Sequence, residues 1–170
     1  MLQFTRGAIR LLIIANLLLG VAMAAVLIWS FATGDPRLGD LLRVNYPPVA
    51  VFALPVRHGQ AVLLSVLPMM VAAHVIFRQL LAMLGSVAEG DPFSPANADR
   101  LVRIGWALLA IQLLDLLFGA VVFQVEQQMG NQATGWAPTL TGWLAVLLVF
   151  VLARVVREGT RLRSEAELTI

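Results

Sequence analysis

The chain has 170 residues, 59% of them hydrophobic and 13% charged, with a mean hydropathy of +0.85. That is too apolar for the surface of a soluble domain of this length, and four long apolar segments carry the excess. The net charge is only +2 and every basic residue is arginine, which argues against direct nucleic-acid binding, while the lack of cysteine excludes disulfides, thiolate metal sites and cysteine nucleophiles.

Arg6 and Arg10 precede the first apolar segment, Leu11 to Phe31, which contains Ala22-Met23-Ala24 and so imitates a cleavable signal peptide. The segment continues through Val26, Leu27, Ile28 and Trp29, about 31 Å as a helix, which predicts an uncleaved membrane helix over about 8–31. Gly20-x-x-x-Ala24 on it is a small-residue packing device. The connection 32–59 carries Gly34-Asp35-Pro36, Pro47-Pro48 and Pro55, which rule out a continuous helix. Its apolar stretch Val49 to Leu54 reads as a strand, a re-entrant piece or a flap over the helix ends, with a ligand-binding loop as the other reading.

A second helix is predicted over 60–88, with its apolar stretch from Ala61 to Phe77, a kink at Pro68, and Met69, Met70 and Met83 as gap-fillers. The turn 89–94 follows: Glu89-Gly90-Asp91-Pro92-Phe93-Ser94. Gly90 suits the left-handed conformation that ends a helix, and Pro92 stops its continuation. Ser94 suits an N-cap whose side chain accepts a backbone N–H, with Pro95 at the first helical position and Asp99 supporting the first turns electrostatically. Together these residues describe a helical hairpin.

The third helix, over 95–123, carries Asp115, about 16 Å beyond Ile104 and therefore near the middle of a hydrocarbon core. An ionised carboxylate there costs on the order of 2.5 to 3.5 kcal/mol, so Asp115 should face protein or water. Gln112 and Gly119 share its face. With Asn16 on the first helix and His74 on the second, Gln112 and Asp115 form a candidate intramembrane polar cluster. That cluster reads as interhelical hydrogen bonding, as a proton or solute path, or as the lining of a ligand cavity. After the connection 124–137, a fourth helix is predicted over 138–163 and a polar tail over 164–170. Arg154, Arg157 and Arg161 share a face as the fourth helix leaves the membrane, where snorkelling is the simplest role. Farther on, Glu167 and Ile170 belong to a tail that alternates acidic with apolar groups.

Two strings carry a resemblance. Glu89 to Leu101 followed by Ile104-Gly105-Trp106, and the ending Gly159 to Leu162 with Glu165 to Ile170, are similar to an uncharacterised bacterial four-helix membrane protein family typified by YoaS. The resemblance implies a membrane protein without an assigned activity, often encoded beside a small helix-turn-helix regulator. It carries over no catalytic residue.

Nine arginines fall on the side of the hairpin turn and three on the other, which predicts that both termini are cytoplasmic. The expected fold is all-α: a single membrane domain, 1–170, built as a four-transmembrane-helix bundle in a bacterial inner membrane. Phosphate-loop, zincin and serine-hydrolase motifs are absent from the sequence, so no enzyme, metal or cofactor is expected. The leading expectation is a regulatory or anchoring protein. Its hairpin (Gly90, Asp91, Pro92, Phe93, Ser94, Asn97, Arg100) and tail (Arg154, Arg157, Arg161, Glu167, Ile170) would dock a small cytoplasmic partner such as the regulator the resemblance implies. The alternative is a small oligomeric transporter or channel component centred on Asp115. Partners expected besides are the lipid bilayer and further copies of the chain.

Overall fold

The computed structural model describes residues 2–33, 56–91, 93–128 and 138–167. They form four helices: α1, Leu2–Thr33; α2, Val56–Ala88; α3, Pro95–Gln128; and α4, Leu140–Glu167. No strand occurs among the described residues. Each helix contains a stretch long and apolar enough to cross a membrane: Gln3–Thr33, Leu64–Ala88, Pro95–Ala120 and Leu140–Glu165. Helix is the structure expected where the chain meets lipid, because it satisfies every backbone N–H and C=O from within.

The helices extend further than apolarity alone suggests. α1 begins at Leu2 rather than near residue 8, α2 at Val56 rather than 60, and α3 reaches Gln128 rather than 123. α4 is displaced towards the hairpin, starting at Leu140 and continuing as helix to Glu167, so most of the expected tail is helical. The expected flap Val49 to Leu54, Gly34-Asp35-Pro36, Pro92 and Ile170 lie outside the described residues, as does most of the connection 32–59.

Extensive packing joins helices consecutive in the chain: α1 with α2, α2 with α3, and α3 with α4. Each neighbouring pair is antiparallel. Arg6 meets Leu84 while Ser30 meets Gln60, and Gly105 meets Phe150 while Asp99 meets Arg157. The fold therefore gathers the start of α1, the hairpin and the end of α4 at one end, here called the arginine end.

α2 and α3 each have a helix on either side, and α3 carries most of the buried residues. Its buried residues Asn97, Ala98, Leu101, Ile104 and Ala107 recur at helical spacing, and Val146 and Ala153 of α4 are buried opposite. Gly105 allows the Phe150 ring to lie directly on the α3 backbone, and the same ring meets Trp106 edge-to-face with centroids 5.7 Å apart. α1 makes a smaller contact around Leu27, with Met23, Val26 and Leu67. Only 6% of the most apolar stretch of α1 is buried, against 22% in α3. Leu11, Leu18, Val21, Ile28 and Phe31 of α1 are exposed, an arrangement that suits lipid rather than water.

Candidate functional site at the arginine end

The hairpin is held by backbone geometry first. Gly90 has φ 84°, its N–H bonds the carbonyl of Val87 at 3.2 Å, and the Asp91 N–H bonds the carbonyl of Ser86 at 3.0 Å. This is the paired 5→2 and 6→1 closure in which a left-handed residue ends a helix, and glycine takes that φ without a Cβ clash. Pro95 occupies the first position of α3, and the Ser94 carbonyl accepts from Asn97 at 3.0 Å and Ala98 at 3.4 Å.

The Ser94 side chain departs from expectation. Its hydroxyl is buried without a hydrogen-bond partner among the described residues, so it does not cap α3. Side-chain chemistry at the start of α3 is carried instead by Asn97, which is 1% exposed. Asn97 Nδ2 donates to Ser86 Oγ at 2.6 Å, and Ser86 Oγ donates to the Met83 carbonyl at 2.9 Å. Arg100 Nη1 donates to Asn97 Oδ1 at 2.7 Å and approaches the Ala82 carbonyl at 3.3 Å. A chain of hydrogen bonds thus ties the last turns of α2 to the first turns of α3. From the other side, Arg6 Nη2 donates to the Leu84 carbonyl at 2.9 Å, placing a cation at the carbonyl-rich end of α2.

α4 closes over the same turn. Arg157 pairs with Asp99 at 3.0 Å, Arg163 with Asp91 at 3.5 Å, and the Thr160 hydroxyl lies 3.0 Å from the Phe93 carbonyl and 2.8 Å from that of Val156. The ion pairs are exposed and individually contribute little, up to about 1 kcal/mol. Their effect is to set the register of α4 against the hairpin. Arg161 pairs within its own helix, with Glu158 at 2.8 Å and Glu165 at 3.5 Å. Glu167 ends α4. The Phe93 side chain remains 54% exposed at the tip.

Sequence reasoning does not place Ser86 or Thr160 at this site, and it reads Arg6 only as a charge flanking the first apolar segment. A signal for Ser86 exists: in a helical hairpin, residues equidistant from the turn face each other, and 86 and 97 straddle 91 and 92. Thr160 and Arg6 come from helices distant in the chain, and no local pattern marks their contacts with the hairpin and with α2.

The intramembrane residues divide between interfaces. Asn16 Nδ2 donates to the Met70 carbonyl of α2 at 3.0 Å. The Gln112 amide lies against Gly142 of α4, in space that a Cβ on Gly142 would occupy. Asp115 has a polar partner, and His74 Nδ1 is buried without one among the described residues. Asn16 and Gln112 therefore serve contacts on opposite sides of the helix row, α1–α2 and α3–α4. Among the described residues, no three His, Asp or Glu side chains gather closely enough to hold a metal ion.

Residues 13–170 match a family described as "Protein of unknown function (DUF2975)". The chain belongs to this family. The match runs from within α1 through all four helices, covering the hairpin and the α4 contacts upon it. It agrees with the uncharacterised family expected from the hairpin and C-terminal strings. No curated protein and no solved structure matches the chain. With four helices suited to crossing a membrane, this member of the family is a multi-pass membrane protein.

Proposed function

We propose that this protein is a membrane-anchored docking platform, without enzymatic activity, whose arginine end faces the cytoplasm of a bacterial cell and recruits a small soluble protein. The partner class that the family resemblance favours is a helix-turn-helix regulator. The observation that carries this reading is Phe93: a large apolar side chain, 54% exposed, at the tip of a turn whose backbone is held by Gly90, Asn97 and Thr160. A pre-ordered apolar tip loses little conformational freedom on binding, so more of its contact energy appears as affinity. The docking surface differs from the one expected at the outset. Arg157 and Arg163 are engaged with the hairpin itself, which leaves the tip rather than the face of α4 as the contact.

Phe93→Ala should leave membrane insertion and thermal stability of the purified protein unchanged while abolishing co-purification of a soluble protein encoded nearby. Equal recovery of that protein with both chains rejects the tip as its contact. One observation favours a second reading, a transporter component: the buried, unbonded Nδ1 of His74. Solute flux into proteoliposomes that is lost in His74→Ala would place that reading ahead.

A further inference from the structure

The arginines at the arginine end fall into two groups. Arg6, Arg100, Arg157, Arg161 and Arg163 bond carbonyl or carboxylate oxygens of the protein. Arg10, Arg78, Arg103 and Arg154, one from each helix, are exposed and have no polar partner among the described residues. The antiparallel register places all four within about one helical turn of a single level. Arg10 is one turn inward of Arg6, Arg103 is one turn inward of Arg100, and Arg154 is one turn inward of Arg157. From that level the uncharged run Leu11 to Phe31 rises about 31 Å, close to the thickness of a hydrocarbon core. The unpaired guanidiniums therefore stand at the depth of lipid phosphates.

At Arg154 the surface is also shaped. An open groove of about 390 Å³ between α3 and α4 is lined by Val102, Phe150, Ala153, Arg154, Arg157 and Glu158. Phe150 is at its membrane-side end and Arg157 at the other, so the lining passes from apolar to cationic along the direction a phospholipid takes from acyl chain to headgroup. Arg103 flanks it from α3, because it lies one turn from both Asp99, which touches Arg157, and Trp106, which touches Phe150. We propose that this groove is a binding site for one anionic phospholipid, whose phosphodiester is held by Arg103 and Arg154 and whose upper acyl chain lies along Phe150. A guanidinium offers paired donors that match phosphate oxygens, and Glu158 at the rim disfavours a headgroup carrying additional negative charge. No residue of the turn 89–94 lines the groove, so the site does not depend on the docking role.

The test is retention of lipid by the purified full-length chain, measured by native mass spectrometry and by the thermal shift on adding phosphatidylglycerol, phosphatidylcholine or inorganic phosphate. The unaltered protein should retain one phosphatidylglycerol and be stabilised by it. The double variant Arg103→Gln/Arg154→Gln should bind it about tenfold more weakly or worse, having lost two charge-assisted contacts. Arg10→Gln/Arg78→Gln, equal in charge removed and in depth, should bind it as the unaltered protein does. Equal losses in the two double variants would show only diffuse attraction at the interface and overturn the site. So would equal stabilisation by phosphatidylcholine, and stabilisation by inorganic phosphate that matches the lipid would make the site one for a free anion.

Discussion

Asn97 is a small polar residue with a large structural consequence. It bridges Ser86 and Arg100 and is itself almost closed to solvent, so its removal takes a donor from Ser86 Oγ and the shorter of two acceptors from Arg100 Nη1. Leaving a buried polar group unsatisfied costs about 1 to 3 kcal/mol, more when the group is charged. Asn97→Ala should therefore lower the unfolding free energy by about 2 kcal/mol, read as a lower melting temperature in detergent micelles. Asn97→Asp keeps the acceptor towards Arg100 while losing the donor to Ser86, and should fall between the two. The same scale explains why Ser94 misled. Its place before Pro95 marks the helix start correctly, but whether a hydroxyl turns to the backbone depends on the space left by neighbouring helices.

Among elements, α3 carries the most burial, with Asn97, Ala98, Leu101, Ile104 and Ala107 all buried between its neighbours. Its approach to α4 depends on Gly105, where an added Cβ would stand 3.0 Å from two ring carbons of Phe150. Overpacking of this kind typically costs about 1 to 3 kcal/mol unless the neighbour can yield. Gly105→Ala should destabilise the α3–α4 pair, and Phe150→Leu in the same chain should restore part of the loss. Coupling between the two substitutions, measured as a departure from additive melting shifts, checks the contact directly. Gly142 differs although a Cβ there would also overlap a neighbour, because that neighbour is the terminal amide of the flexible Gln112 side chain, which can swing aside.

The arrangement of the whole molecule determines which end meets which compartment. The antiparallel packing puts nine arginines at one end, and the distribution of arginine across short connections sets orientation during insertion. The chain has no native cysteine, so single cysteines report sidedness cleanly. Ala96 and Thr139 are both exposed, near opposite ends of the bundle. In intact cells, a membrane-impermeant thiol reagent should label Thr139→Cys and leave Ala96→Cys unlabelled until the membrane is opened. The reverse pattern would put Phe93 outside the cell and remove the basis for a cytoplasmic partner.

Hydropathy and turn chemistry determined by themselves the all-α class, the four spans, and the glycine that ends α2, because these follow from the cost of burying backbone in lipid and from the steric freedom of one residue. The element ends were less legible. Beyond the expected ends, α1 and α4 continue as helix where polar contacts support them, at Arg6 with Leu84 and at Arg163 with Asp91, and such contacts leave no periodic trace in the sequence. The four polar residues placed together by depth show the same division. Depth along a helix can be counted from sequence, but azimuth relative to a neighbour cannot, and only packing turned Asn16 towards α2 and Gln112 towards α4. Arg161 pairs with Glu158 and Glu165 of its own helix, a spacing visible in the sequence, but tertiary structure decided the partners of Arg6, Arg157 and Arg163, since those oxygens are brought near from elsewhere in the chain.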